Sequence, residues 1–202
     1  MKNSVRNIIL NPLLIAQFIA HLSFIPMLIW AGWQQWLTAF VVYFFTGCFG
    51  MSMTYHRLLA HNSWKAPKWF EWFGTLCATL GLTGSSLAWC SVHKEHHQKV
   101  DTEKDPHSPH YMKWYEVQFF SMLYPPKIKF MRQKLKDPFH RLLHNHYFLI
   151  NFGYSAFLFF LDPFAVIYAH LFPAAVLWNS GSAVNTVGHL FGYRNFKTSD
   201  SS

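Results

Sequence analysis

Two long apolar stretches near the N-terminus constrain the fold more than any other feature of this sequence. They run from about Ile8 to Trp30 and from about Trp33 to Tyr55, and each contains 23 residues. A helix of that length, rising about 1.5 Å per residue, crosses a hydrocarbon layer of roughly 30 Å. The Ala31-Gly32 turn between the stretches carries no charge. The pattern therefore predicts a hairpin of two transmembrane helices.

Three further apolar segments follow. The segments from Tyr147 to Leu161 and from Phe164 to Ser182 predict a second hairpin, with Pro173 as a site for a kink. The segment from Trp69 to Trp89 includes Glu71 and a run of glycine and hydroxyl residues, so we expect it to be interfacial or re-entrant. Charged residues make up 13% of the chain, about half the share in soluble domains. This composition favours lipid as the main solvent.

The basic residues give the orientation. All 17 Lys and Arg lie in three regions: Lys2 with Arg6, Arg57 through Arg141, and Arg194 with Lys197. With four spans these regions share one side of the membrane, which the positive-inside rule makes cytoplasmic. The net charge of +8 then indicates a membrane surface, with no nucleic-acid partner. The first stretch is too long for the core of a cleavable signal peptide, so we expect it to remain as a membrane anchor.

Histidine is unusually frequent, with 13 residues against nine Asp and Glu. Six histidines and one asparagine fall in three groups near the predicted cytoplasmic ends of the spans. The second group has the spacing i, i+3 and i+4, which places its members on one helical face. The groups are His56 with His61; His93 with His96 and His97; and Asn185 with His189. The sequence therefore predicts an all-α membrane protein, one domain over residues 1–202, with about four transmembrane helices in two hairpins and a cytosolic histidine-rich cap.

These groups have the chemistry of a metal site. Neutral imidazole is a favoured ligand of iron, copper and zinc, and many imidazoles without cysteine suit redox iron better than structural zinc. We expect Cys48, Cys77 and Cys90 to be free thiols, because none has CxxC spacing. Acidic residues that follow the second group are expected to accept the second ring N–H of the ligands. They are Glu95, Asp101, Glu103 and Asp105.

The other seven histidines are predicted to lie outside such a site. Four of them are expected to cap helices or to snorkel at membrane ends, namely His21, His144, His146 and His170. Three are expected to be loop residues, namely His107, His110 and His140.

Three stretches of this chain share their order and separation with a known family. They are Tyr55 to His61, followed by Trp64; Val92 to His97, followed by Asp101-Thr102 and Asp105-Pro106-His107; and Asn185 to Arg194. At these residues the sequence resembles the membrane-bound fatty acyl desaturases, especially the Δ9 type that acts on acyl-CoA or acyl-lipid. The resemblance covers nearly the whole chain, and the combination is more specific than any single motif.

The resemblance implies a di-iron centre with O2 as co-substrate. All six grouped histidines would be direct ligands, Asn185 would act through a bridging water, and no catalytic side chain beyond the metal centre is implied. An external donor of the cytochrome b5 or ferredoxin type would supply two electrons. Two hydrogens would leave neighbouring methylenes of a saturated acyl chain held in an apolar tunnel, which forms a cis double bond. The partners implied are an acyl-CoA or acyl-lipid substrate, the electron donor and membrane lipid.

The family has a further HxxHH box beyond the position of His189, and the sequence to Ser202 contains none. A fragment, a truncated gene or a second polypeptide would each account for this, and we expect the isolated chain to bind iron poorly and to turn over little or not at all. Two alternatives remain open: a lipid or alkane hydroxylase, and an inactive family member that binds and regulates a full-length desaturase. A membrane haem protein is disfavoured, because the clustered histidines lie at span ends.

Overall fold

The computed structural model describes residues 11–120, 124–193, 195 and 197, and all regular structure within them is helical. The all-α prediction is confirmed for this part of the chain. The α-helices are α1 (Pro12–Leu22), α2 (Phe24–Trp30), α3 (Trp33–Tyr43), α4 (Lys68–Leu80), α5 (Ser86–Lys99), α6 (Trp114–Phe120), α7 (Pro138–Asn145), α8 (Tyr147–Leu161) and α9 (Phe172–Leu190). Two segments are π-helical, Phe44–Ala60 and Ile167–Leu171, and two are short 3-10 turns, Ile128–Met131 and Lys134–Lys136.

Two helical segments are long and apolar enough to cross a membrane. They are Pro12–Trp30, with 19 residues and a mean hydropathy of 1.9, and Trp33–Ala60, with 28 residues and a mean hydropathy of 1.5. Their outer faces carry large exposed apolar side chains, and Leu28, for example, is 74% exposed. Helix α8 is apolar but has only 15 residues. The four-span topology therefore stays a prediction, and the predicted start of the first span at Ile8 lies outside the described residues.

The second span extends farther than the sequence predicted. We expected it to end near Tyr55, but the chain continues as a π-helix to Ala60, so His56 lies within the helix. In π winding the N–H of residue i+5 bonds to the carbonyl of residue i, and the His61 N–H donates to the His56 carbonyl at 3.0 Å. His61 is the C-cap of this helix, and the wider π turn brings residues five apart nearer to one face than on an α-helix, where they diverge by roughly 140°.

The segment from Trp69 to Trp89 is not one helix. A turn separates α4 from α5, with positive φ angles of 55° at Leu82 and 101° at Gly84. Leu82 rarely adopts this conformation, and its carbonyl accepts a bond of 2.6 Å from the Gln17 side chain. The Gly84 N–H donates to the Tyr147 hydroxyl at 3.0 Å. The turn divides the segment into helices of 13 and 14 residues, each shorter than the roughly 20 residues that a span needs, and the interfacial or re-entrant placement stays a prediction.

The last helix also extends beyond its predicted end. Helix α9 continues past Ser182 to Leu190, and it therefore carries both Asn185 and His189. Pro173 lies in the first turn of α9, directly after the π-helical segment Ile167–Leu171. Pro173 has no N–H to donate to the Ala169 carbonyl, which instead accepts a hydrogen bond from the Tyr154 hydroxyl at 3.1 Å. The winding thus changes just before Pro173, where the sequence predicted a kink within the span.

Two glycines allow the π-helix and α4 to pack at very short range. A Cβ atom at Gly50 would lie 2.5 Å from the Ala78 backbone nitrogen, and one at Gly74 would lie 2.0 Å from the Thr54 Oγ1. Both separations are shorter than any real contact of a Cβ atom. Because the π-helix carries His56, its close packing on α4 fixes where the first histidine pair begins.

Replacing Gly50 by alanine should destabilise this helix pair. The new methyl group would meet backbone atoms that cannot rotate away, and overpacking of this kind costs about 1–3 kcal/mol. The free energy of unfolding in detergent micelles, measured with denaturant, checks this expectation. Gly153→Ala is the matched control, since nothing lies within 4 Å of its Cβ position and alanine favours a helix. Equal stability of the two variants would contradict the packing described above.

Candidate metal centre

Four of the predicted ligands meet at one point. The ligating atoms of His56, His61, His93 and His97 lie within 4.8 Å of one another. The Nε2 atom of His61 is 3.0 Å from the Nε2 atoms of both His56 and His93. The Nε2 atom of His97 is also 3.0 Å from that of His93. The π-helix and its C-cap residue therefore supply one imidazole each, and α5 supplies two, to a single cluster.

The close approach of these nitrogens fits a shared cation. Each imidazole nitrogen offers either one hydrogen or one lone pair. Three hydrogen bonds at these contacts would require three hydrogens and three lone pairs. The four nitrogens together supply only four hydrogens or lone pairs, so they cannot satisfy all three contacts. A metal ion would use a lone pair from every nitrogen. Burial, followed by the neighbouring imidazoles, also lowers the pKa of His93, which keeps that ring neutral and able to ligate.

A second group forms beside the first. The ligating atoms of His96, Asp105 and His107 also lie within 4.8 Å of one another. His189 on α9 joins this group, with its ring centroid 5.6 Å from that of His96. Since the rings of His96 and His97 are 5.4 Å apart, the two groups are neighbours. The structure thus brings together all six histidines that the sequence singled out.

Two carboxylates orient the rings of the second group. The Nδ1 of His96 is 2.8 Å from Asp105 Oδ1, and the Nδ1 of His189 is 3.3 Å from Asp101 Oδ1. An ionised carboxylate only accepts hydrogen bonds, so each Nδ1 carries the hydrogen and each Nε2 keeps its lone pair. These contacts agree with the expected roles of Asp101 and Asp105. Asp101 adopts a φ of 55°, a conformation that aspartate tolerates better than most residues.

Glu95 has different partners from those expected. Its Oε1 accepts hydrogen bonds from Lys99 and Lys127, and the hydrogen bonds of the described residues include none from Glu95 to an imidazole. Burial alone would raise the pKa of Glu95, but the bonds from Lys127 and Lys99 outweigh it and lower the pKa. Glu95 is therefore an anion that holds two lysines. The other predicted carboxylate, Glu103, is exposed.

Sequence reasoning missed His107, which we expected to be a loop residue. Its side chain is 1% exposed, and its ring stacks on that of His96 with centroids 4.1 Å apart. Neither ring nitrogen has a hydrogen-bond partner among the residues that the structure describes. Burial, followed by the charge of His96, lowers the pKa of His107 to about 3. The one sequence signal was its place two residues after Asp105, whose Oδ1 accepts the His107 N–H at 3.0 Å.

Two other histidines expected at the surface are buried. His140 is 0% exposed and His170 is 2% exposed, because each has a serine partner and a second polar partner inside the protein. His146 and His110 are exposed, as expected. All three cysteines carry free thiols, as predicted.

An apolar cavity of about 450 Å³ adjoins the first histidine group. His56, His93, His107 and Asn185 are among its polar lining residues. Most of the remaining wall is apolar or aromatic and comes from the π-helix, α5 and α9, including Met51, Trp89, Val92, Leu177 and Trp178. Volumes of this size hold small-molecule ligands. Asn185 thus lies at the cavity with the histidines, where the sequence grouped it.

Removing the carboxylate of Asp105 should weaken metal binding. Loss of a hydrogen-bond partner of a ligating histidine typically costs about 10–100-fold in affinity, so Asp105→Ala should bind Fe(II) more weakly by that factor under anaerobic titration. Asp162→Ala is the control, since Asp162 bonds to Phe164 and Tyr168 in the turn after α8. An equal loss in both variants would show that the effect is not specific to His96.

Comparison with known proteins agrees with the site. The sequence model of the fatty acid desaturase family matches residues 31–202. The chain is 29% identical over 176 residues to an sn-1 stearoyl-lipid 9-desaturase of Anabaena variabilis, which covers 85% of this chain and 65% of that protein. It is 31% identical over 194 residues to Delta-9 acyl-lipid desaturase 2 of Arabidopsis thaliana, covering 93% and 63%.

A third relative, an icosanoyl-CoA 5-desaturase of Limnanthes douglasii, is 30% identical over 173 residues, which cover 82% of this chain and 49% of that protein. The chain thus spans about half to two thirds of the length of these three relatives. The family match extends over most of the chain and includes all three histidine groups. This protein belongs to the fatty acid desaturase family.

Proposed function

We propose that this protein is an O2-dependent fatty acyl desaturase that introduces a cis double bond, at the Δ9 position, into a saturated acyl chain. The observation that carries the proposal is the meeting of six histidines from three distant segments at the end of an apolar cavity. Relatives named as 9-desaturases of acyl-lipids favour an acyl-lipid substrate, and the icosanoyl-CoA relative keeps acyl-CoA as the other carrier.

The proposed cofactor is a pair of iron ions. The first would be held by His56, His61, His93 and His97, and the second by residues that include His96 and His189, with Asn185 acting through a water. Bound iron supplies the oxidising power toward unactivated C–H bonds that acid–base side chains lack. The donor set fits iron, because it consists of neutral imidazoles with no thiolate.

The side chains of this protein position the substrate and the ligands. The apolar wall excludes water and holds the acyl chain, with each buried methylene contributing about 0.8 kcal/mol. Asp101 and Asp105 hold the hydrogens on the Nδ1 atoms of their histidines, so that both Nε2 atoms face inward. In the overall reaction the acyl chain loses two hydrogens, and O2, two electrons and two protons complete the formation of two waters. The electrons come from an external donor of the cytochrome b5 or ferredoxin type.

The proposed location is the membrane, with multiple spans and with the histidine cluster on the cytoplasmic side. Two helices of spanning length and the apolar α8 support the first hairpin and part of the second. Basic residues gather around the histidine groups between Arg57 and Arg141 and are absent from both predicted hairpin turns, which supports this orientation. Membrane lipid would surround the exposed apolar faces.

The product of the reaction tests the proposal. Expression of the protein in a host that lacks Δ9 desaturation, supplied with stearate, should yield a small but detectable amount of a cis-9 monounsaturated acyl lipid, identified by mass spectrometry of double-bond cleavage products. His93→Ala should abolish the product, whereas the exposed His146→Ala should not. A hydroxylated chain would instead identify a lipid hydroxylase, and absence of either product would contradict the proposed activity.

Tyr43 should limit the length of the bound chain. It lines the cavity, and its hydroxyl lies 3.1 Å from the Ser180 Oγ. It precedes His56 by 13 residues on the same helix, roughly 15–20 Å along the axis. Tyr43→Ala should therefore shift the preferred substrate toward longer chains in competition assays. Phe40→Ala, which removes a side chain that is 66% exposed, should leave the preference unchanged. A shift caused by both variants would contradict this role.

A further inference from the structure

The start of α5 is tied to two histidines of α7. The Oγ of Ser86 lies 2.8 Å from the Nδ1 of His140, and the Oγ of Ser85 lies 2.6 Å from the Nδ1 of His144. Ser85 is the N-cap of α5, and Ser86 is its first residue. Helix α5 carries three of the predicted ligands, so these bonds act on the helix that contributes most to the metal centre.

A buried carboxylate holds His140 from its other side. The Nε2 of His140 is 3.0 Å from Glu71 Oε1, and this nitrogen donates because a carboxylate only accepts. In the neutral ring, Nδ1 then accepts the hydrogen of the Ser86 hydroxyl. The bond from His140 comes first among the causes that lower the pKa of Glu71, and it acts with Lys134 and Lys68 against burial. Glu71 is therefore ionised, and α4, α7 and α5 are connected in series.

Two other functions of this cluster are disfavoured on physical grounds. Glu71, Asp137 and His140 come close enough to hold a metal ion. The ammonium groups of Lys68 and Lys134, however, already lie 3.2 and 2.8 Å from Glu71 Oε1, and they would repel a cation. The order serine, histidine, glutamate resembles that of a hydrolase triad, but Ser86 and His140 are both 0% exposed, so no substrate reaches the hydroxyl.

The opposite face of α5 is held by Lys127, which lies in the chain between α6 and α7. The Ser91 hydroxyl donates to the Lys127 carbonyl at 2.9 Å and accepts the Lys127 N–H at 2.7 Å. The Lys127 ammonium group also donates to Glu95. Ser91 and Glu95 each lie two residues from His93, about 200° around the helix. These contacts therefore act on the face opposite His93, whereas the polar link to α4 through His140 acts on the start of α5.

We propose that Glu71 and His140 are positioning residues that set the height and rotation of α5, so that its three histidines reach the metals. The inference rests on the proposed function and concerns this chain's own side chains. A slip of one residue along a helix moves a side chain by about 1.5 Å and 100°, whereas metal–ligand distances tolerate about ±0.2 Å. A small displacement of the first turn, about 10 Å from His93 along the axis, is therefore enough to change the site.

The chain contains a matched control for this role. His170 has nearly the same environment as His140, since its Nδ1 lies 2.8 Å from Ser155 Oγ and its Nε2 lies 3.2 Å from Asn151 Oδ1. Both imidazoles are buried. The His170 cluster, however, joins α8 to the π-helical segment before α9 and makes no bond to α5 among these contacts. Substitutions of His140 and His170 should therefore lower the stability of the fold to a similar degree, whereas the substitution of His140 should affect the metal site more.

The test uses Co(II) as a spectroscopic probe of the site in the detergent-purified protein. His140→Ala should weaken Co(II) binding, by less than the roughly 10–100-fold loss that follows removal of a direct partner of a ligating residue because His140 acts through Ser86, and should shift the visible d–d bands. His170→Ala should keep the affinity within about twofold and leave the bands unchanged, although both variants lower the melting temperature. His140→Asn, whose amide can still bond to Ser86, should restore part of the affinity.

Two serine variants keep the inference testable if the histidine variants fail to fold. Ser86→Ala and Ser155→Ala each remove one hydroxyl, and only Ser86→Ala should alter the Co(II) spectrum. Two results would overturn the positioning role while leaving the proposed function in place. One is an equal effect on Co(II) binding within the pair His140→Ala and His170→Ala, or within the pair Ser86→Ala and Ser155→Ala. The other is an unchanged Co(II) spectrum in both Ser86→Ala and His140→Ala. Failure of the unsubstituted protein to bind Co(II) would contradict the metal centre itself, and this inference with it.

Discussion

The structure depends on the approach of imidazole nitrogens from helices that are far apart in the sequence. Nitrogens with lone pairs repel one another unless a hydrogen or a cation lies between them, so their approach to 3.0 Å requires both a firm scaffold and a positive charge. The scaffold consists of apolar helices with buried polar contacts near the ends that carry the histidines. The chemistry that we propose follows from the same arrangement, because an apolar cavity ends at these nitrogens.

The parts of the site that could be predicted from the sequence are those set by local spacing. The i, i+3, i+4 pattern of His93, His96 and His97 placed them on one face, and their neighbours Asp101 and Asp105 lay within reach of second ring nitrogens. Apolar length alone located two long helices. These features depend on residues within one or two turns of each other, which is the range over which sequence periodicity is informative.

The parts that could not be predicted depend on contacts across the fold. His56 and His61 share a face only because the helix is π-wound there, and periodicity that assumes α winding does not reveal this. Glu95 differs from Asp105 because Lys127 approaches it from a distant segment. His107 and His140 are buried by elements that are remote in sequence. Polar residues of this kind look like surface residues until their partners are known.

Helix α4 contributes no predicted metal ligand, yet in the sequence it lies between the two segments that contribute the four histidines of the first group. On one side it packs closely on the π-helix, because Gly50 of the π-helix and Gly74 of α4 have no side chain to keep the helices apart. On another side its Glu71 reaches α5 through one imidazole. The π-helix and α5 also touch directly, since the Cys90 thiol donates to the Tyr55 carbonyl at 3.3 Å, so the spacing between the two histidine-bearing elements is set both by their own contact and by a helix without metal chemistry. Grafting the histidine motifs onto another scaffold would transfer the ligands but not the helix contacts that set the distance between them.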